Sequence, residues 1–177
     1  VTFFASVVTL LTGFGLATIL TPVFTLVYDV KVAILLVAIV HFINNAFKCV
    51  LFRKHINFGI IKRFGILSII GAIMGAFLQS LLISSIVKVF LGLILIVLGV
   101  GEFLPSKFKF TIQKTIDRIG GFLSGFLGGL VGNQGAIRSA YLLNYQISKE
   151  EFIGTSTVIA LCIDITRIPI YVYTQKG

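Results

Sequence analysis

Charge is what this sequence has least of. Only 12% of its 177 residues are Asp, Glu, Lys or Arg, about half the share in a soluble globular domain. Acidic residues are the scarcer kind, six against 15 basic ones. Tryptophan is absent, methionine occurs once, and the two cysteines, Cys49 and Cys162, stand in apolar stretches. Lone cysteines in such settings are small buried hydrophobes, and no Cys/His spacing of the zinc kind occurs. The expectation is therefore no disulfide, no metal site and no cofactor. Catalytic signatures are missing as well. Gly128, Gly129 and Gly132 lie inside an apolar segment rather than after a strand, no GK[ST] follows them, and there is no His-Glu-x-x-His. Ser124, between Gly121 and Gly125, lacks the spacing of a hydrolase nucleophile elbow. Asp164 stands alone as a mid-segment carboxylate, so a paired-carboxylate mechanism has no second member. These absences point away from an enzyme.

What is present is hydrophobicity. The chain is 57% hydrophobic with a mean hydropathy of +1.07. Apolar runs follow one another from end to end and leave no room for a separate soluble domain. The predicted fold is all-α, a polytopic helical membrane protein with about six spans. They are Phe3–Tyr28, Val32–Phe52, Ile60–Ile83, Ile86–Leu104, Ile119–Leu143 and Phe152–Tyr173. The runs are too long for buried strands and lack the alternation of a membrane barrel.

The formal net charge of +9 is not a nucleic-acid footprint, because the basic residues gather in two short loops. One holds Arg53, Lys54, Lys62 and Arg63; the other holds Lys107, Lys109, Lys114 and Arg118 against Asp117. The remaining connections carry Asp29 with Lys31, Lys88 alone, and Lys149 with Glu150 and Glu151. The positive-inside rule places the two basic loops and the start of the first span in the cytoplasm. The lipid bilayer is the implied partner and nucleic acid is not.

Two of the hydrophobic segments are broken at matching places. The first reads Leu10-Leu11-Thr12-Gly13-Phe14-Gly15 and runs on to Thr21-Pro22. The second runs from Gly125 through Gly128-Gly129-Leu130-Val131-Gly132-Asn133-Gln134-Gly135 to Arg138-Ser139. A helix broken inside a bilayer is tolerated only where protein or a wet cavity covers the freed backbone. Paired breaks in two halves of a chain point to a transporter's substrate site. If each broken segment crosses the membrane, both enter from the same side and the repeats are parallel. Residues 1–104 are then the first repeat, 105–118 a basic cytoplasmic loop, and 119–177 a second, incomplete repeat. A segment that turned back as a re-entrant loop would remove this parity argument but leave the basic loops in the cytoplasm. Small-residue spacings at Gly71 with Gly75, Gly121 with Gly125, and Gly125 with Gly129 mark candidate close contacts between helices.

Polar groups at membrane depth are few and grouped. His41, Asn44, Asn45 and Lys48 share one helix face, which must point at the bundle interior or a cavity. They serve either as interhelical hydrogen-bond glue or as a site, in which His41 would exchange protons near neutral pH. Lys48, nearer the cytoplasmic end, is expected to snorkel to the interface. The fifth segment carries Asn133, Gln134 and Arg138. A buried arginine costs at least about 2.5 kcal/mol on insertion scales and needs a partner: Asp164, freed carbonyls, water or an anionic substrate. If the break starts a half-helix, its free N–H groups and Arg138 form an anion site. The sixth segment carries Thr155, Ser156, Thr157, Asp164 and Arg167. Asp164 and Arg167 are spaced to pair within the helix, and three roles stand open for Asp164: proton carrier, cation ligand or fixed counter-ion.

Three of these features occur together: Gly13-Phe14-Gly15 running to Pro22, the glycine-rich stretch Gly121 to Gly132, and Gly154-Thr155-Ser156-Thr157 one loop later. In that combination the chain resembles the sulfite exporter TauE/SafE family of membrane transporters over nearly its whole length. In that family each half opens on a glycine-rich segment followed by a span bearing Thr-Ser. The resemblance implies export or uptake of small anions, such as sulfite and organosulfonates, across the plasma (inner) membrane. Two departures concern the substrate. The family's triple glycine is Gly13-Phe14-Gly15 in one copy and Gly132-Asn133-Gln134-Gly135 in the other, and Arg138 stands where an apolar residue is expected. Family members have more spans, the second half here stops after two, and Val1 opens the chain without a signal-peptide pattern. A fragment of a longer protein is therefore expected.

The expected function is secondary transport of a small anion. The expected substrate-binding residues are Gly13, Gly15, His41, Asn44, Asn45, Gly132, Asn133, Gln134, Gly135, Arg138, Thr155 and Ser156, with His41 and Asp164 coupling transport to protons. An anion channel and a non-transporting scaffold or sensor subunit are the alternatives. The oligomeric state is left open, a homo-oligomer included.

Overall fold

The computed structural model describes residues 15–103 and 117–175, so Gly13 lies outside the described residues. The described chain forms helices α1 (Leu16–Phe24), α2 (Val30–Phe52), α3 (Phe58–Leu81), α4 (Ser84–Phe103), α5 (Asp117–Val131), α6 (Gly135–Leu142) and α7 (Lys149–Thr174). It contains no strand among those residues, as the long apolar runs predict. With 23, 24 and 26 residues, α2, α3 and α7 are long and apolar enough to cross a membrane, since each residue adds about 1.5 Å. A shorter apolar stretch covers Ser84–Val100 in α4. The three long helices start on side-chain caps. Asp29 accepts from the backbone N–H of Lys31, Asn57 from Ile60 and Ser148 from Glu151, each satisfying a donor that a helix start leaves free. Outward-facing Ile43, Phe47 and Val50 of α2, Phe77 of α3 and Leu93 and Val97 of α4 are exposed. That is a surface suited to hydrocarbon rather than water.

Helix directions follow from contacts along their lengths. Gln175 donates to the Lys31 carbonyl at one end of α2, His41 faces Asp164 midway, and Gly154 sits against the Phe52 and His55 carbonyls at the other end. So α2 and α7 are antiparallel. Between α3 and α5 the register runs Gly121 on Phe64, Gly125 on Ser68 and Gly129 on Ala72, with Gly71 on Phe122 and Gly75 on Phe126 from the other side. These two helices are parallel, and all the predicted small-residue positions lie in their seam. A Cβ on Gly125 would collide with the Ser68 carbonyl, and a backbone cannot swing aside as a side chain can. Gly125→Val is expected to cost about 1–3 kcal/mol or more by overpacking. Gly92→Ala, where a Cβ meets nothing within 4 Å, is expected to be neutral or slightly stabilising. Melting of the two variants in detergent reads the difference.

The second broken segment does not cross. After Val131 the chain turns at Gly132, whose φ of +83° is open to glycine and strained for other residues. Helix α6 then runs back along α5. The Tyr141 ring fills the space a Cβ on Gly120 would take, the Tyr145 hydroxyl donates to Asp117, and Ser124 Oγ donates to the Gln134 carbonyl at 2.9 Å. Residues 119–143 are thus a re-entrant hairpin with both ends beside the Arg53–Asn57 loop. The reading of Ile119–Leu143 as a single crossing is corrected, for a physical reason. Two short buried helices back to back have the same hydropathy as one long one.

Two further expectations fall with it. Helix α7 starts at the basic end, where the Asn57 backbone donates to Thr155 Oγ1 (2.9 Å) and Asn57 Nδ2 to Glu151 Oε1 (2.6 Å). Lys149, Glu150 and Glu151 therefore share a side with Arg53 and Lys54. The described units also have an inverted relation, not a parallel one. Helix α1 follows Gly15 (φ +105°) and packs Leu16 and Leu20 on Val37 of α2. It runs to the end where Asp29 opens α2. Helix α6 follows Gly132 and runs to the opposite end, where Ser148 opens α7. In a background without Cys49 and Cys162, Glu150→Cys is expected to react with an impermeant thiol reagent from the same side as Lys54→Cys. Labelling from opposite sides would restore the single crossing.

Candidate functional site

The N-termini of α1 and α6 meet inside the bundle. Thr18, in the first turn of α1, donates through Oγ1 to Asn133 Oδ1 at 2.8 Å. One turn on, Thr21 Oγ1 lies 3.9 Å from where a Cβ on Gly132 would stand, and Arg167 Nη1 lies 3.6 Å from the same point. Unlike the long helices, neither α1 nor α6 has a side-chain cap. Among the described residues no side chain caps either start, and the positive ends of two helix dipoles meet inside the bundle.

Five buried side-chain atoms on α1, the break and α6 have no hydrogen-bond partner among the described residues, and the same holds for Arg167 Nη2 on α7 and Gln175 Oε1 just past its end. The five are Thr21 Oγ1, Asn133 Nδ2, Gln134 Oε1, Arg138 Nη1 and Ser139 Oγ. Each such group costs about 1–3 kcal/mol when left unmade.

Arg138 is 1% exposed, and its Nε donates to Ser156 Oγ at 2.8 Å. No carboxylate among the described residues pairs with it. Asp164 is engaged elsewhere: its Oδ1 accepts from Arg167 Nε at 2.9 Å and its Oδ2 lies 2.7 Å from His41 Nδ1. Gln134 Nε2 makes a longer approach of 3.4 Å. Arg167 also donates from Nη1 to the Gly128 carbonyl at 2.5 Å, and the Tyr171 hydroxyl donates to Gly129. The Gly128 carbonyl, which also accepts from the Gly132 N–H at 3.0 Å, and the Gly129 carbonyl near the end of α5 thus receive a cation and a hydroxyl. Asp164 is thus paired with both Arg167 and His41.

Some predicted site residues come together and others do not. Gly132, Asn133, Gln134, Gly135, Arg138 and Ser156 stand at the break, Gly15 precedes the facing half-helix, and His41, Asn45 and Asp164 form an adjoining layer. Within that layer Asn45 Nδ2 lies 2.9 Å from His41 Nδ1. Asn44 turns away, lining a groove of about 370 Å³ with Val40, Ile43 and Phe47. The Thr155 hydroxyl is taken by the Asn57 backbone, so it ties a loop down rather than facing Arg138. Lys48, expected at the interface, is 2% exposed. Packing between α2 and its neighbours covers the stem before it can reach the surface. Thr18 and Thr21 were missed. Their signal was present, since both fall in the first two turns after Gly15.

These features define a class of protein: a multi-pass helical membrane protein in which two uncapped half-helices meet across a buried polar centre. A model of the sulfite exporter TauE/SafE family matches residues 1–176, and the chain belongs to that family. It is thus a member of a membrane transporter family. Comparison with curated proteins and with solved structures gave no match.

Proposed function

We propose that this protein is a secondary transporter that carries a small oxyanion, sulfite or an organosulfonate, across the plasma membrane. One observation carries the reading. Arg138 and two uncapped helix N-termini converge in the core while Asp164, the nearby carboxylate, is held by Arg167 and His41. Backbone N–H groups at a helix start and a guanidinium are the donors an oxyanion needs, and Thr18, Asn133 and Ser139 add neutral hydrogen bonds. The break lies on structure from both halves, so an anion held there touches elements that lead to opposite sides of the membrane. The His41–Asp164 pair is the proton-coupling element of this reading. Imidazole changes charge near neutral pH, and its contact with Asp164 ties that change to α7, which also carries Ser156. Protein reconstituted in proteoliposomes is expected to show saturable sulfite flux that responds to an imposed proton gradient. Flux that neither saturates nor follows the gradient would identify a channel instead.

A further inference from the structure

Arg138 and Ser139 are only 1% and 2% exposed, so nothing in water reaches them unless an element moves. Helix α6, which carries both, is the element built to do so. Its neighbour α5 is fixed, because Gly121, Gly125 and Gly129 lie directly against backbone atoms of α3. Helix α6 has eight residues and stands between two left-handed residues, Gly132 at φ +83° and Gln146 at φ +52°. A glutamine in that conformation is held by its surroundings rather than by preference. Hinge motion is absorbed by such residues at the ends of an element.

At the basic end α6 is tied down by side chains. The Tyr145 hydroxyl donates to Asp117, in the first turn of α5. The Tyr141 ring lies over Gly120 and packs on Phe64, with ring centres 5.7 Å apart. Phe64 belongs to a π-helical turn, Ile61–Gly65, a local widening that often marks a functional element. On the other side, a hollow of about 330 Å³ is lined by Leu142, Leu143 and Ile147 and by Lys149 and Phe152 of α7. The end of α6 therefore has a latch towards α5 and room towards α7.

We infer that α6 is a gate on the basic side of the buried centre, hinged at Gly132 and Gln146 and latched shut by the Tyr145–Asp117 hydrogen bond. The inference rests on the transport reading for what passes the gate and adds the element that opens. Swinging the end of α6 into the hollow parts Tyr145 from Asp117 and Tyr141 from Gly120. Ser139 and Arg138 lie within one turn of Tyr141, so this uncovers them to the side that carries Arg53 and Lys54. The α3–α5 seam stays closed meanwhile, since close-packed backbones have no rotamer to change.

Cysteine labelling reads this without substrate. In a background lacking Cys49 and Cys162, Ser139→Cys puts a thiol on the gate. Ser68→Cys puts one in the α3–α5 seam, where Ser68 is fully buried. An impermeant thiol reagent is applied to membrane vesicles from the side of the Arg53–Asn57 loop. Where reclosing is fast, the labelling rate follows the open population. Adding Tyr145→Phe is expected to speed labelling of Ser139→Cys about tenfold or more, and to change Ser68→Cys by about twofold or less. Asp117→Asn keeps an acceptor for Tyr145 without its charge, so it is expected to speed Ser139→Cys about two- to fivefold. An unchanged rate in Ser139→Cys overturns the latch. Equal acceleration of both thiols is general loosening and overturns the gate, as does labelling of Ser139→Cys from the opposite side alone. Should Tyr145→Phe fail to fold, Asp117→Asn against its parent decides. A wild type without saturable sulfite flux overturns the transport reading, while the labelling comparison still decides whether α6 opens.

Discussion

Arg138→Gln is expected to abolish saturable sulfite transport while leaving the protein folded. The argument has two parts. First, the guanidinium is the charged donor of the proposed anion site, and hydrogen bonds to charged groups are worth about 1.5–3 kcal/mol each, so losing it weakens anion binding by about 10- to 100-fold. Second, the fold does not depend on its charge. Among the described residues Arg138 makes one side-chain bond, to Ser156, and no carboxylate there pairs with the buried cation that glutamine removes. The melting temperature is therefore expected to stay level or rise. Arg138→Lys keeps the charge and loses the planar fork, so it should fall between the two. Ser156→Ala, which removes only the hydroxyl that holds the guanidinium, should reduce transport less than Arg138→Gln. Proteoliposome flux at wild-type level in Arg138→Gln would end the assignment of this residue.

Asp164→Asn carries the opposite expectation, a large loss of stability. Arg167 is fully buried, its Nε donates to Asp164 Oδ1, and its Nη2 lies 2.8 Å from the same oxygen. Removing the carboxylate leaves that cation in the core, a change that costs about 3–5 kcal/mol in comparable buried pairs. His41 loses its partner in the same step. The loss should be partly recovered in the double variant Asp164→Asn with Arg167→Gln, because the stranded charge is then gone. Thermal melting in detergent reads both. An unchanged melting point in Asp164→Asn would show that Arg167 finds other compensation, and the lock between α2, α5 and α7 would have to be redrawn.

The two variants separate residues that the sequence presents as alike. Arg138 and Arg167 are both arginines inside apolar segments, and either was open to pairing with Asp164. In the fold Arg167 takes the carboxylate, together with the Gly128 carbonyl, and Arg138 donates to Ser156 of α7. Intrahelical spacing made the Asp164–Arg167 pair legible. What Arg138 would meet was not legible, because Ser156 is on another helix and reaches it only once the hairpin has folded back. Lys48 is a similar case. Its place on the polar face was readable, but its depth depends on what packs around α2. Asn44 and Thr155 show the converse, polar residues in favourable positions whose side chains are directed elsewhere by a one-residue rotation of α2 and by the Asn57 backbone.

The sequence by itself determined the solvent and the building material. Hydropathy, the scarcity of charge and the two basic loops dictate a helical protein in a bilayer, because transfer free energies add along a segment whatever its neighbours do. The glycine spacings of α3 and α5 likewise marked the seam between them. Only the tertiary structure decided direction. Whether residues 119–143 cross or return turns on one left-handed residue, Gly132, and on contacts such as Tyr145 with Asp117 and Tyr141 with Gly120. Hydropathy is blind to both, since a helix buries the same surface running either way. That single reversal puts α7 at the basic end, makes α1–α2 and α6–α7 inverted rather than parallel, and brings the two helix N-termini together through Thr18 and Asn133.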